Sequence, residues 1–369
     1  MHRRRFLGLG ASAGLALAQN KQADEVIATA TQDTTPRVAI VLSSFKEGSD
    51  HDGSKLPGLA DPQPPGADLT SAQVDAMARK AIDLAATRGG DFASMVEPED
   101  WVVIKTHIGS HQPYVPGSVA DPRIVRAVIS YLAEHKRGLR FTVVEGAPEA
   151  AWTSEWGGAF DGLSYRKMVE DLSRRHSGIR FEILDLDSAD TADLPVPGKG
   201  IARNNPSGVY TIPKIIQQCD RVISVAPLET DPATGVALSV ANYLGIAPAS
   251  KYGPAKAALM KLGMPDEIII DLFSYHPADL AIVGGCWGVE GDGASTVHHN
   301  LILAGMKAPC VDAVAATLMG FKPAELPFLD LADRKGFDIN DVDLIWTRGN
   351  ELDQARREFK KPTRWRPGG

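Results

Sequence analysis

The chain has few cysteines and lacks the signatures of the common cofactor-binding classes. Its 369 residues include 3 cysteines, Cys219, Cys286 and Cys310, and no two of them form a Cys-x-x-Cys motif. Because ordinary iron–sulfur and zinc sites need closely spaced thiolates, the sequence predicts neither. No Gly-Lys-Ser or Gly-Lys-Thr phosphate-binding signature occurs, so a nucleotide site has no support.

The chain also has no excess of basic charge and no long apolar run after residue 18. The formal net charge is −7, with 39 Lys and Arg against 46 Asp and Glu. An acidic protein is a poor partner for nucleic acids and for anionic membranes, although one site can still be locally basic. No stretch after residue 18 approaches the ~20 apolar residues that span a bilayer, so we expect no stable membrane anchor.

The first 18 residues have the layout of a twin-arginine signal peptide. Three consecutive arginines, Arg3 to Arg5, precede an apolar stretch that ends at Ala18 in a small-x-small sequence. A basic start, a short apolar stretch and such an end characterise a removable export signal, and paired arginines indicate the twin-arginine pathway. We therefore expect that export machinery to deliver a periplasmic or secreted protein. Residues 19–36 are polar and aperiodic and predict a flexible tether.

Short apolar strands alternate with amphipathic helices over residues 37–350. The predicted strands are 37–42, 101–106, 140–146, 179–186, 221–226, 281–284, 300–304 and 342–346, and the later helices include 236–244, 254–262 and one from 310. The clearest helix begins with Asp121 as N-cap and Pro122 at the first helical position. This alternation predicts one α/β domain of the three-layer, doubly wound type, with a mainly parallel sheet and helices on both faces. Residues 351–369 are interpreted as a polar C-terminal tail.

Ionisable residues follow several predicted strands, at the carboxyl ends where ligands bind in such sheets. Lys105 and His107 share one strand face, and they offer a cation for a carboxylate or phosphate and a base that titrates near neutrality. Glu145 ends another strand and Asp231 follows a later one; carboxylates suit a general base or a hard cation. Each of these residues also has a purely structural interpretation, as a surface side chain or a helix cap.

A glycine-containing loop follows the predicted strand 281–284. Its residues Gly291 and Gly293 allow the backbone to approach a ligand closely, so they are candidates for substrate binding. His298 and the residue after it are adjacent histidines, which point to opposite faces of a strand and cannot both ligate one metal there. We assign His298 to the candidate site as the member of the pair that faces it.

Collinear segments from Trp101 to Gly349 resemble the domain-of-unknown-function family 362. They are VVIKTHIG, ADPRIVRAVISYL, FTVVEG, RVISVAPLETD, ALSVANYLGIAP, IIIDLFSYHPADLAIVGGCWGVEGDG and LILAGMKAPCVDAVAATLMGF. The resemblance supports Lys105, Asp121, Glu145, Asn242 and Asp312 as positions that match the family pattern. Asn242 is predicted to bind substrate, and Asp312 is predicted to bind a divalent metal together with Asp231, which is a candidate from its strand-end position alone.

The chain also departs from that family. Glu229-Thr230-Asp231 stands where relatives commonly have Lys-Thr-His, and Ala241 stands where they commonly have a lysine. The ferredoxin-like cluster module of many relatives is missing. These departures leave open that any chemistry of the family is altered or lost in this chain.

Three functions remain as hypotheses. The first is an exported enzyme that acts on a small polar or anionic substrate, with Lys105, His107 and Glu145 as catalytic residues and a divalent metal as the possible cofactor. The second is a non-catalytic periplasmic protein that binds a ligand or a metal. The third is an isomerase or racemase in which His107 is paired with a second base, His276 or His298.

Overall fold

The computed structural model describes residues 35–87, 90–109, 114–293 and 295–367. The predicted signal peptide and nearly all of the predicted tether lie outside these residues. The strands are β1 Arg37–Leu42, β2 Gly48–Ser49, β3 Lys55–Leu56, β4 Trp101–Lys105, β5 Arg140–Glu145, β6 Arg180–Asp185, β7 Thr191–Pro195, β8 Val209–Pro213, β9 Arg221–Asp231, β10 Gly235–Ala237, β11 Leu280–Glu290, β12 Ser295–Gly305 and β13 Trp346–Gly349.

Helices lie in half of the connections between these strands, and one more follows β13. They are α1 Ser71–Leu84, α2 Phe92–Met95, α3 Pro122–His135, α4 Glu149–Trp152, α5 Tyr165–Arg175, α6 Ile215–Gln218, α7 Ala249–Tyr252, α8 Pro265–Phe273, α9 Ala308–Leu318, α10 Pro327–Arg334 and α11 Leu352–Ala355. Helix α3 begins as expected, since Asp121 accepts a hydrogen bond from the Arg123 amide and Pro122 occupies the first turn. In the described ranges, no helix combines the length and the apolar content needed to cross a membrane.

One large sheet has the strand order β13-β1-β12-β11-β9-β4-β5-β6, and β10 pairs with β9. Strands β11, β9, β4, β5 and β6 are parallel to their neighbours along this series, and β1 is parallel to β13. Only β12 within the order runs the other way, antiparallel to both β1 and β11, as does β10 beside β9. The prediction of a mainly parallel sheet is confirmed.

Alternate residues of the strands enter two separate cores. Val103 of β4 belongs to the core that includes α8 and α9, whereas its neighbours Val102 and Ile104 belong to the core that includes α1, α3 and α5. Since successive side chains of a strand point to opposite faces, helices cover both faces of the sheet. This is the three-layer architecture that the sequence predicted.

The region between β9 and α8 differs from the prediction. Continuous helices were expected over 236–244 and 254–262, but the chain forms β10, the short helix α7 and single 3-10 turns at 241–246, 254–256 and 259–261. Gly245, Pro248, Gly253 and Pro254 interrupt the apolar pattern here, and glycine and proline are poor helix formers. The result is an irregular segment that crosses the carboxyl edge of the sheet.

Three smaller differences concern the edges of the domain. The last strand begins at Trp346 rather than ending there, and the hairpin of β7 and β8 was not anticipated. In the segment interpreted as a polar tail, Phe359 and Trp365 are buried, and the Trp365 ring centroid lies 5.2 Å from that of Phe321. The described part of this segment therefore packs on the domain.

Candidate functional site

The candidate site is a cavity of about 380 Å³ at the carboxyl ends of β4, β5 and β9. The irregular segment between β9 and α8 forms its opposite wall, so the loops that follow three adjacent parallel strands face that segment across the cavity. Its ionisable and amide lining residues are His107, Glu145, Glu229, Asp231, Asn242 and Lys256. Ligands in open α/β sheets bind at this edge of the sheet.

A buried ion pair lies beneath this cavity. Lys105 is fully buried, and its ammonium donates hydrogen bonds of 2.7 Å each to the Thr106 carbonyl, to Glu145 Oε2 and to Asn242 Oδ1. The three protons of the ammonium are thus all used within the protein. Glu145 and Asn242 line the cavity, and they connect it to the lysine below.

Each partner of the ion pair has a shifted pKa. Burial by itself works to raise the pKa of Glu145, but the charges of Lys105 and His107 and the hydrogen bond from Lys105 outweigh it, so the pKa lies below its ordinary value. Burial lowers the pKa of Lys105, and the charge of Glu145 offsets that effect only in part. The carboxylate is therefore held in its ionised form next to a lysine that releases its proton more readily than an exposed one.

A chain of buried hydrogen bonds fixes Asn242 from below. Asn242 Nδ2 donates to Ser224 Oγ at 3.0 Å, and that hydroxyl donates to the Ser239 carbonyl at 2.8 Å. Ser239 and Val240 in turn donate their amides to the Asp312 carboxylate at 3.0 and 2.8 Å. Burial raises the pKa of Asp312 to about 7, although the hydrogen bonds from Ser239 and Val240 act in the opposite direction. Asp312 thus anchors the segment that carries Asn242 and does not line the cavity.

Gly245 closes the cavity side of the ion pair. A Cβ atom at this position would lie 2.5 Å from Lys105 Nζ and 2.8 Å from Glu145 Oε1, both far inside van der Waals contact. Only a glycine lets the backbone of the irregular segment approach so closely. The 3-10 turn at 241–246 therefore covers the lysine and leaves Glu145 and Asn242 accessible from the cavity.

A second pair of ionisable residues lies farther along the cavity. His107 Nε2 is 3.5 Å from Glu229 Oε2; Glu229 is buried and His107 is partly exposed. Asp231 lies at the end of β9, where its Oδ1 atom accepts hydrogen bonds from the amides of Ala233 and Thr234 and from the Thr234 hydroxyl. A histidine beside a carboxylate can transfer a proton to or from a ligand in the cavity.

The remaining candidate residues lie elsewhere. Gly291 and Gly293 are in the turn between β11 and β12, where the Gly291 carbonyl accepts a hydrogen bond from the Thr230 hydroxyl and the Gly291 amide donates one to the Lys360 carbonyl. His298 lines a second cavity of about 260 Å³, in which its ring stacks on Trp287 at a centroid distance of 4.1 Å. The structure thus brings together Lys105, His107, Glu145, Asn242 and Asp231 and separates the other four.

The second base of the proposed isomerase is not beside His107. His276 is 3.6 Å from Asp279, and Asp279 binds the amide of Val222 near the amino-terminal start of β9. His276 is therefore at the opposite end of the sheet from the main cavity, and His298 lines the other cavity. Over the described residues, no group of three or more His, Cys, Asp or Glu side chains is arranged to hold a metal ion.

The sequence analysis missed Gly245, Lys256 and the two serines Ser224 and Ser239. Lys256 lines the cavity from the irregular segment, within a stretch that was expected to be helical. Its spacing from Lys105 carried no signal, because only the tertiary fold brings residues so far apart in sequence together.

Residues 102–317 match the family described as a domain of unknown function, DUF362. This match covers more than half of the chain. The protein belongs to the DUF362 family. The resemblance found in the sequence segments is thereby confirmed.

Two further comparisons concern individual proteins. The comparison with curated protein sequences gave no significant match. Among solved structures, the chain is similar to the lactate racemase apoprotein from Thermoanaerobacterium thermosaccharolyticum, with 13% sequence identity and a TM-score of 0.37. The similarity covers 73% of this chain and 61% of that one, so the chain spans less than two thirds of that protein.

Proposed function

We propose that this protein is an enzyme that carries out acid–base chemistry on a small organic anion bound in the main cavity. The observation that carries the proposal is the buried pair of Lys105 and Glu145 directly beneath that cavity. Removing two charges from water costs more than packing apolar side chains of the same size, so such a pair is a poor way to stabilise a fold. Perturbed ionisable groups that line a cleft are typical of catalytic sites.

The residues that line or underlie the cavity have different roles according to their positions. His107, which faces Glu229 and reaches the cavity, is suited to take up or deliver a proton. Glu145 lines the cavity, and because Lys105 binds its Oε2 atom and the Gly146 amide binds its Oε1 atom, the carboxylate has a fixed orientation there. Asn242 supplies the positioning amide between the lysine and β9.

The test is a screen for binding followed by turnover. Wild-type protein is screened by thermal shift against organic acids, sugars and divalent ions, and every hit is incubated in D₂O and followed by proton NMR for product formation or C–H exchange. We expect an organic anion to stabilise the protein and to be turned over. His107→Gln should lower the rate about 10²- to 10⁴-fold, the range for loss of a general acid or base.

Matched variants separate a catalytic effect from a general one. Glu145→Gln should also abolish turnover, whereas Glu170→Gln, at an exposed position of α5, should leave it unchanged. Stabilisation by a ligand without any turnover would identify a binding protein instead. Equal rates in wild type, His107→Gln and Glu145→Gln would refute the assignment of these residues.

We also propose that the protein is exported by the twin-arginine pathway, on the strength of Arg3 and Arg4 and the apolar stretch behind them. Cell fractionation of the full-length protein should find it outside the cytoplasm. The double variant Arg3→Lys/Arg4→Lys should remain in the cytoplasm. Export of both forms would contradict the proposal.

A further inference from the structure

Lys256 is the cation of the main cavity that has no carboxylate partner among the described residues. Its Nζ donates only to backbone carbonyls, those of Gly245 at 3.4 Å and of Ala247, and no ion pair within 4.0 Å involves it. Lys105, by contrast, has all three ammonium protons bound within the protein. Lys256 is therefore the lysine of the site that can accept an anion from outside.

The backbone that presents Lys256 has an unusual conformation. Ala255 and Lys256 have φ angles of 49° and 54°, in the left-handed region that residues other than glycine rarely adopt. Such conformations persist where the surrounding structure enforces them, and they cluster at ligand-binding sites. This turn directs the Lys256 side chain into the cavity instead of into solvent, since Lys256 lines the cavity and is partly buried.

The wall beside this lysine is apolar. Leu238, Leu244, Met260 and Ile269 line the same cavity. Burial is the main effect that lowers the pKa of Lys256, and the charge of Lys105 adds to it, whereas the charges of Glu145 and Asp187 act in the opposite direction. A ligand that fits has one anionic group for Lys256 and a short apolar body for this wall.

We propose that Lys256 binds the carboxylate of the substrate, and that the substrate is a monocarboxylic acid with a short aliphatic chain. This inference rests on the proposed function, and it names both the substrate class and the residue that selects it. A cavity of about 380 Å³ is within the usual range for small-molecule sites, roughly 300–1,000 Å³. Affinity should rise about fourfold for each methylene that is buried against the apolar wall.

The probes are butanoate, hexanoate and hexanamide, titrated into the full-length protein by calorimetry. Hexanoate and hexanamide have nearly the same shape and differ in charge. Hexanoate should bind about 10- to 100-fold more tightly than hexanamide, the effect of a hydrogen bond to a charged group. It should also bind more tightly than butanoate, because its chain is longer.

Variants then assign that preference to one side chain. Lys256→Gln should remove the preference for hexanoate and leave hexanamide binding unchanged, and Lys256→Arg should retain the preference. Lys251→Gln is the matched control, since Lys251 belongs to the same segment and is exposed. It should bind all three probes as the wild type does.

The outcomes distinguish this inference from the proposal beneath it. Equal affinities for hexanoate and hexanamide, or an unchanged preference in Lys256→Gln, would overturn the role of Lys256. If the thermal-shift and turnover screen described above finds that another anion is turned over while hexanoate neither binds nor inhibits, the substrate class is wrong and the proposed function stands. If the screen gives neither a ligand nor turnover, the proposed function fails, and this inference fails with it.

Discussion

The ion pair beneath the cavity yields the sharpest prediction, because its two side chains are almost completely buried. Lys105 Nζ and Glu145 Oε2 are 2.7 Å apart, and their side chains are 1% and 8% exposed. Lys105→Met leaves Glu145 Oε2 without this donor, while Oε1 keeps the Gly146 amide at 2.8 Å. Removing one partner of a buried pair costs about 3–5 kcal/mol, because the other charge stays buried and uncompensated.

The double variant Lys105→Met/Glu145→Met should be far less destabilised than the two single variants together. It removes both charges, and what remains is the loss of a donor for the Thr106 carbonyl and for Asn242 Oδ1 and the loss of the acceptor for the Gly146 amide. At about 1 kcal/mol for each of these three lost hydrogen bonds, the double variant should cost about 3 kcal/mol. The two single variants together should cost about 6–10 kcal/mol, so the cycle should be non-additive by at least about 3 kcal/mol.

Guanidinium chloride unfolding, followed by tryptophan fluorescence, measures these differences in the free energy of unfolding. Lys251→Met, at an exposed position, should stay within about 0.5 kcal/mol of wild type. Glu145→Gln is the milder variant if Glu145→Met does not fold, since its amide oxygen can still accept from Lys105. Single variants that each cost under about 1 kcal/mol, or an additive cycle, would show that the two charges are not coupled as the contacts imply.

Three more predictions concern the surroundings of the site and the opposite end of the sheet. Gly245→Ala should destabilise the fold by about 1–3 kcal/mol, because its Cβ would lie 2.5 Å from Lys105 Nζ; wild-type stability in chemical denaturation would contradict the close approach. Asp312→Ala leaves the amides of Ser239 and Val240 and the Ser239 hydroxyl without their acceptor. It should lower the free energy of unfolding by about 3 kcal/mol or more, measured in the same way. A loss of metal binding at unchanged stability would instead show that Asp312 is a metal ligand. Burial opposes protonation of His276, but hydrogen bonds to Asp279 and Cys219 raise its pKa to about 10. Its protonated ring therefore stabilises the fold fully below about pH 6.5 and no longer does so once the pH has risen through about 10. The difference in the free energy of unfolding between wild type and His276→Gln should narrow over that range. A constant difference would refute the raised pKa.

The sequence determined the layers of the fold because the decisive signals are local. The apolar runs of β1, β4 and β5 and the Asp121-Pro122 start of α3 each depend on a few neighbouring residues. Apolar and polar periodicity is enough to separate buried strands from amphipathic helices. The parallel sheet with helices on both faces follows from their alternation.

The site was predictable only where a strand leads directly into it. Lys105, His107 and Glu145 end or follow adjacent strands. Because ligands in such sheets bind at the carboxyl ends of the strands, the sequence already predicted these residues as candidates for one site. Asn242 entered through the family resemblance. Asp312 entered in the same way, yet it anchors the backbone of the segment that carries Asn242 and does not face the cavity.

The tertiary structure alone decided which parts of the irregular segment meet the ion pair. Gly245 and Lys256 are 140 and 151 residues from Lys105 in sequence, and no local pattern links them. Their apolar, alanine-rich surroundings favour helix, and only the glycines, the prolines and the packing across the sheet edge produce the turns that are observed. The sequence by itself thus established the sheet and the strand-end residues. The enclosure of the cavity and the position of Lys256 in it depend on contacts between distant parts of the chain, which local periodicity does not encode.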